Sequence, residues 1–162
     1  MILILEYVTL TATIKKNMSA STKLSTAVKA LSYLAESYPE PKSSYQISKH
    51  IGANASKIRL LLSMLAKQQI VESGKGTMGG FLMRKNPSVL HMQEIYCAIE
   101  DRKAFHLHVT RADENTTDRT ARFNNYFLDL FAEVQVDIED KMRKITLIKI
   151  MNQLGIKSNF NK

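Results

Sequence analysis

Residues 52–84 read GANASKIRLLLSMLAKQQIVESGKGTMGGFLMR, and the architecture turns on this stretch. Asn54 offers a side-chain oxygen to the free amides of a helix start. Behind it Ile58, Leu61, Leu62 and Leu65 recur at three- and four-residue steps, the spacing of one buried helix stripe. The opposite side carries Ser56, Arg59, Leu60, Ser63 and Lys67, with Lys57 on its flank. Ile70-Val71-Glu72 and Phe81-Leu82-Met83 read as two short strands, joined by a basic loop with glycines at 74, 76, 79 and 80. Immediately upstream, Ser43 or Ser44 caps a short helix bearing Ile47 and Ile51, which Gly52 closes. A short helix, a tight glycine turn, a longer helix and a glycine-rich hairpin predict a winged helix-turn-helix.

Toward the N-terminus, Ser21 or Thr22 caps a first helix with Leu24, Ala27, Val28, Leu31, Leu34 and Ala35 on one face. Tyr38-Pro39-Glu40-Pro41 ends it, because proline lacks an amide donor and restricts its predecessor. Beyond Asn86-Pro87 a helix runs roughly from His91 to Glu100, with Met92, Ile95, Tyr96 and Ile99 inward. A polar segment follows to about Thr120. Phe123, Phe127, Leu130, Phe131, Val134, Ile138, Met142 and Ile145 then mark a long amphipathic helix, and Thr146 caps a last short one with Leu147, Ile150, Met151 and Leu154. The fold class expected is mainly α with a small β-wing: a winged helix-turn-helix domain plus a long C-terminal dimerisation helix. The divisions expected are an N-terminal extension (1–17), the winged head (18–100), a linker or effector segment (101–121), and the dimerisation and short helices (122–162). The extension is apolar, carries Glu6 and has no basic stretch before it, unlike a secretory leader; an upstream start with Met18 as the working initiator is the preferred reading. The long helix has no partner of matching length in the chain, so a second copy is the economical cover, with folding back on the head as the alternative.

Charge is unevenly distributed. The formal net charge is +8. Residues 18–86 hold ten Lys/Arg against three Asp/Glu, a net of +7, whereas residues 87–162 hold eleven of each. A basic head on a neutral tail suits a polyanion partner, here double-stranded DNA. Arg59 matches the paired acceptors of guanine, with Ser56, Lys57 and Ser63 on the same reading helix. Phosphate contacts are expected from the helix starts at Ser21, Thr22, Lys23, Ser44 and Tyr45, and from Lys75, Thr77 and Arg84 of the wing. A protein-docking winged helix is the rival reading, and the basic outer face of the third helix argues for DNA.

Other chemistries have less to stand on. Gly74-x-Gly76-x-x-Gly79 matches a dinucleotide fingerprint, but that needs a helix after it and a strand is expected there. His106 and His108 offer a metal only two ligands, so no metal site is expected. Cys97, alone in the chain, excludes an internal disulfide and suits a reducing cytoplasm; an inert thiol is the favoured reading, with a redox sensor as the alternative. No catalytic constellation appears, and an enzyme is not expected.

These residues resemble the Rrf-type winged-helix regulators, the family that includes IscR, NsrR and CymR. The likeness runs from about Ser21 to Glu100. It is carried by Ser21–Ser25, by Ile58–Leu65, by Ser73-Gly74-x-Gly76-x-x-Gly79-Gly80-Phe81, and by Ile95-Tyr96-x-Ala98-Ile99-Glu100. The resemblance implies a homodimer on a partly palindromic operator, usually repressing. Iron–sulfur members carry three cysteines after the position of Glu100, and residues 101–122 hold none. The expected protein is therefore from the cluster-free branch, without a cofactor and with its effector unassigned.

Overall fold

The computed structural model describes residues 20–74, 79–100 and 109–160. Helix α1 (Ala20–Ser37) is the central element of the head. Its Ala27, Ala30, Leu31, Leu34 and Ala35 lie in one buried stripe. The helix already begins at Ala20, so Ser21 and Thr22 sit inside its first turn rather than at the cap.

Helix α2 (Ser44–Ile51) starts on a full capping box. Ser43 Oγ accepts from the Gln46 amide, and Gln46 Oε1 accepts from the Ser43 amide. Gly52 ends α2 at φ 67°, left-handed backbone that glycine enters without the Cβ penalty. Only Ala53 and Asn54 separate it from helix α3 (Ala55–Lys67), whose Ile58, Leu61, Leu62 and Leu65 are all buried. Tyr33 of α1 stacks on His50 of α2, with ring centroids 3.8 Å apart.

Strands β1 (Val71–Ser73) and β2 (Phe81–Met83) pair antiparallel with Val71 opposite Met83, so β1 begins one residue later than expected. A third backbone segment joins them: the Lys42 amide donates to Phe81 O at 3.0 Å, and the Phe81 amide to Lys42 O at 2.8 Å. A Cβ on Gly80 would lie 2.9 Å from the Lys42 carbonyl carbon, closer than real contacts allow. Glycine at 80 is thus what lets the wing reach the strand-like segment before α2.

Helix α4 (Met92–Ile99) buries Ile95, Tyr96, Ala98 and Ile99. Helix α5 (Arg119–Arg143) opens on Asp118, whose carboxylate accepts from the Thr120 amide, and it starts some four residues before Phe123. Helix α6 (Leu147–Gln153) is capped by Thr146 as expected.

The end of the chain returns to the head. The Met92 amide donates to Ile145 O and the Leu147 amide to Leu90 O, both at 2.8 Å. Leu147 and Met151 are fully buried in the same cluster as Leu31, Leu65 and Ile95. The Asn159 amide donates to Ala35 O at 2.9 Å, its side chain donates to Glu36 O, and Phe160 packs on Tyr38. Residues 147–160, grouped from sequence with the long helix, therefore complete the core of the head and cover the C-terminal carbonyls of α1.

Candidate nucleic-acid interface

The start of α3 is fixed by one side chain. Asn54 Oδ1 accepts from the amides of Ser56 at 3.0 Å and Lys57 at 3.2 Å. With the leucine stripe turned inward, Ser56, Lys57, Arg59, Leu60, Ser63 and Lys67 are all exposed. From Pro41 to Val71 the chain has five Lys/Arg (42, 49, 57, 59 and 67) and no Asp or Glu. Lys42 is paired with Glu40 at 2.8 Å, and the other four lie on the two helices of the motif, which carry no carboxylate of their own to oppose them.

Within that surface the guanidinium of Arg59 leans toward α2 and donates from Nη2 to Ser44 Oγ at 3.3 Å. Ser44 itself is buried, so its hydroxyl braces Arg59 instead of facing outward as a phosphate contact. Ser63 Oγ donates to Arg59 O at 2.7 Å, the back-bond that exposed helical serines form. Tyr45, at the start of α2, is 65% exposed, and Leu60, in the middle of the α3 outer face, is 64% exposed. Leu60 was not among the expected contacts, although an isolated leucine opposite the buried stripe was the signal. Apolar side chains at such a place meet thymine methyl groups in a major groove.

The remaining expected contacts divide. Thr22 is exposed in the first turn of α1, where Ser21 also lies. Lys23 forms an ion pair with the part-buried Glu100 at 3.0 Å, which compensates its charge and ties α1 to the end of α4. Arg84 is exposed, but its amide donates to Ile70 O at the open end of the hairpin, with the strands running from there toward the loop. It shares that end with Lys67 and with Lys85, which pairs with Glu94. Lys75 and Thr77 fall outside the described residues. At the wing's near end the Gly74 amide donates to Gly80 O at 2.8 Å. Strand β2 follows this loop directly, so the glycine pattern lacks the helix a dinucleotide site requires.

Cys97 is exposed on α4, and Gln93 Nε2 approaches its sulfur at 3.4 Å. Local burial by these neighbours pushes the thiol above its ordinary pKa; Glu139 adds to the rise and Arg143 opposes it. The thiolate is correspondingly disfavoured. Phe105, His106 and His108 fall outside the described residues. Among the described residues no three His, Cys, Asp or Glu side chains gather as a metal site, and no helix is long and apolar enough to cross a membrane.

Residues 20–153 match the family described as Rrf2, iron-dependent transcriptional regulators. Among solved structures the chain is similar to IscR of T. potens, at 19% identity and TM-score 0.61, over 89% of this chain and 90% of that one. It is also similar to CymR (YrzC), the global cysteine regulator of B. subtilis, at 18% identity and TM-score 0.59, over 82% and 95% of the two chains. CymR of Staphylococcus aureus aligns at 15% identity and TM-score 0.56, over 80% and 94%. At these identities the likeness establishes the fold. No curated protein sequence matches.

Proposed function

The chain belongs to the Rrf2 family of transcriptional regulators, DNA-binding proteins and not enzymes, and from that premise we propose that it acts as a homodimeric repressor on a partly palindromic operator. The observation that carries this reading is the exposed, carboxylate-free face of α2 and α3, set beside a glycine-rich wing. In the proposed complex the first turns of α3 enter the major groove. Ser56 and Lys57 flank the entry, Arg59 reads guanine from its brace on Ser44, and Leu60 meets a thymine methyl. Tyr45, Thr22 and the wing residues Lys75 and Thr77 hold the phosphates. The reading places the protein in the cytoplasm, where DNA and a reduced lone thiol coexist.

A homodimer is supported by α5, whose Phe123, Tyr126 and Phe127 are 54%, 63% and 40% exposed. An apolar stripe of that length left in water marks an interface. Two heads joined by such a helix put two reading helices on one face of a duplex, the arrangement a palindrome requires.

The family's description ties its members to iron. An iron–sulfur cluster needs several thiolates, and this chain has the single Cys97, whose thiol is pushed up. Its own donor set does not fit such a cluster, and we assign it none. Its signal is instead an effector, small molecule or protein, that alters the angle between the heads. Cys97 oxidation is the rival route, and the raised thiol pKa argues against it.

The test is fluorescence anisotropy with a labelled duplex from the region upstream of the gene and a scrambled duplex as control, each across a salt series. The expected result is a steep fall of affinity with salt and a preference for the native duplex of roughly a thousandfold. Absence of binding to both at low salt refutes DNA recognition and favours docking on a protein partner.

A further inference from the structure

The open end of the hairpin, away from the wing loop, is walled by Lys67, Gln68 and Gln69 from the end of α3 and by Arg84 and Lys85 after β2. Together they line a hollow of about 400 Å³, within the size range of small-ligand sites. Its lining is not that of an apolar pocket: it has three cations, two carboxamides and no carboxylate.

The cations are not needed to close the backbone there. Leu65 O accepts from the Ile70 amide and Ala66 O from the Gln69 amide, both at 3.0 Å. Ile70 O accepts from the amides of Arg84 and Lys85, both at 3.1 Å. The negative end of α3 amounts to about half a unit charge, which three cations outnumber. Lys85 pairs with Glu94, whose carboxylate also accepts from the His91 amide. Lys67 and Arg84 have no ion pair and no side-chain hydrogen bond among the described residues. Three cations less the one carboxylate leave a net of +2 at the hollow.

Gln69 adds a second, independent sign. Its φ is 57°, and among the described residues no other non-glycine residue has positive φ. Glycine ordinarily takes this place just past a helix end, because a Cβ in left-handed backbone costs free energy. A glutamine kept there sets its carboxamide on the wall of the hollow. Strain held beside unanswered charge is a mark of a binding site.

We propose that this hollow binds a phosphoryl group carrying two or more negative charges. Arg84 spans two of its oxygens, Lys67 supplies the second cation, and the Gln69 side chain donates a hydrogen bond. The planar fork of arginine matches paired phosphate oxygens, and a dianion answers the net of +2 where a single carboxylate leaves one cation over. The proposal goes beyond the DNA reading and does not rest on it. Two sources supply such a group, a free phosphate compound and the backbone of a duplex, and the test separates them.

That test is isothermal titration calorimetry of inorganic pyrophosphate into the full chain at low salt, with anisotropy on the native and scrambled duplexes beside it. Arg84→Ala and Lys67→Ala are each expected to weaken pyrophosphate binding roughly tenfold or more. Gln69→Gly is expected to weaken it roughly threefold while unfolding at or above the wild-type temperature, since glycine relieves the backbone. A folding defect therefore cannot mimic the result. Lys149→Ala removes the same charge from the exposed side of α6 and should leave binding unchanged. This pattern assigns the hollow to a free phosphate compound, and with neither duplex bound it sinks the DNA reading alone. If pyrophosphate fails to bind, while Arg84→Ala weakens both duplexes alike and lowers the salt slope by about 0.9, the group comes from the duplex. Pyrophosphate binding that Arg84→Ala leaves intact, or that Lys149→Ala weakens as much, overturns the proposal. So does an Arg84→Ala variant that alters neither pyrophosphate nor DNA binding.

Discussion

Replacing Leu147 with alanine tests whether the C-terminal return is part of the head's core or a loose appendage. Leu147 is fully buried against the same cluster as Leu90 and Ile95. Its backbone cannot slide inward to fill a void, because its own amide is held by Leu90 O at 2.8 Å and the Met92 amide holds Ile145 O at 2.8 Å. A leucine deleted at a site that cannot collapse costs about 3 kcal/mol, combining lost transfer energy and a residual cavity. That is a large share of the roughly 5–15 kcal/mol that keeps a domain folded, yet small enough to leave a folded protein to measure. For a chain of this size it corresponds to a fall in Tm of roughly 6–12 °C. Guanidinium unfolding followed by circular dichroism, at one fixed protein concentration because a dimer's stability depends on it, gives the value directly. Asn152→Ala, on the exposed side of α6, serves as control and is expected to move stability by less than about 0.5 kcal/mol. A loss under about 1 kcal/mol for Leu147→Ala, with the slope of the unfolding curve unchanged, would show that α6 contributes no core and would refute the reasoning.

Further outcomes follow from the same geometry. Gly80→Ala forces a Cβ to within 2.9 Å of the Lys42 backbone, so the variant is expected to lose about 1–3 kcal/mol and to bind DNA more weakly; unchanged thermal unfolding would show that the wing seam yields freely. Arg59→Ala is expected to cost about 1–3 kcal/mol of operator affinity with little effect on the scrambled duplex, whereas Lys57→Ala weakens both alike and lowers the salt slope by about 0.9. Anisotropy titration separates the two, and an equal loss on both duplexes for Arg59→Ala would remove it from base reading. Cys97→Ser is expected to leave oxidant-dependent DNA release unchanged, and iodoacetamide should label Cys97 appreciably only above the ordinary thiol pKa of about 8.5, because burial and Glu139 favour the protonated form. Fast labelling at pH 7 would contradict that. For Glu94, burial raises the pKa but hydrogen bonds from Lys85 and the His91 backbone outweigh it, so the net shift is downward. Its contribution to stability is then present above the ordinary carboxylate pKa of about 4.3 and is lost as pH falls through the lowered value. Glu94→Gln should flatten that part of the acid unfolding curve, and an unaltered curve would discard the assignment.

The features legible in the chain are those whose cause lies within a turn or two of the residue. Asn54 with the two amides behind it, Gly52 at its positive φ, and the Ile58–Leu65 stripe act locally, and each appears where its pattern sets it, while the packed chain selects Ser43 over Ser44 as the cap of α2. The Rrf2 family was likewise readable, because its wing glycines and reading helix are short contiguous motifs. Function at individual side chains was less so. Lys23 looks like a free cation at a helix start until Glu100, far along the chain, is brought beside it. Ser44 looks like a hydroxyl open to phosphate until α3 swings Arg59 over it.

Leu60 gave the opposite outcome: its exposure could be read from the helix period, but an apolar residue outside the stripe carries no charge to advertise a contact. The boundary of the head was hardest of all. Nothing near Leu147 or Met151 says which surface their apolar face will meet. The local elements, the basic reading face and the family all follow from the order of residues alone. That the tail closes the core, and that certain polar groups are already engaged, emerges only when the chain is packed. Both depend on complementarity between surfaces that the order of residues leaves apart, from Ser44 and Arg59, 15 positions from each other, to Asn159 and the end of α1, 123 positions from each other.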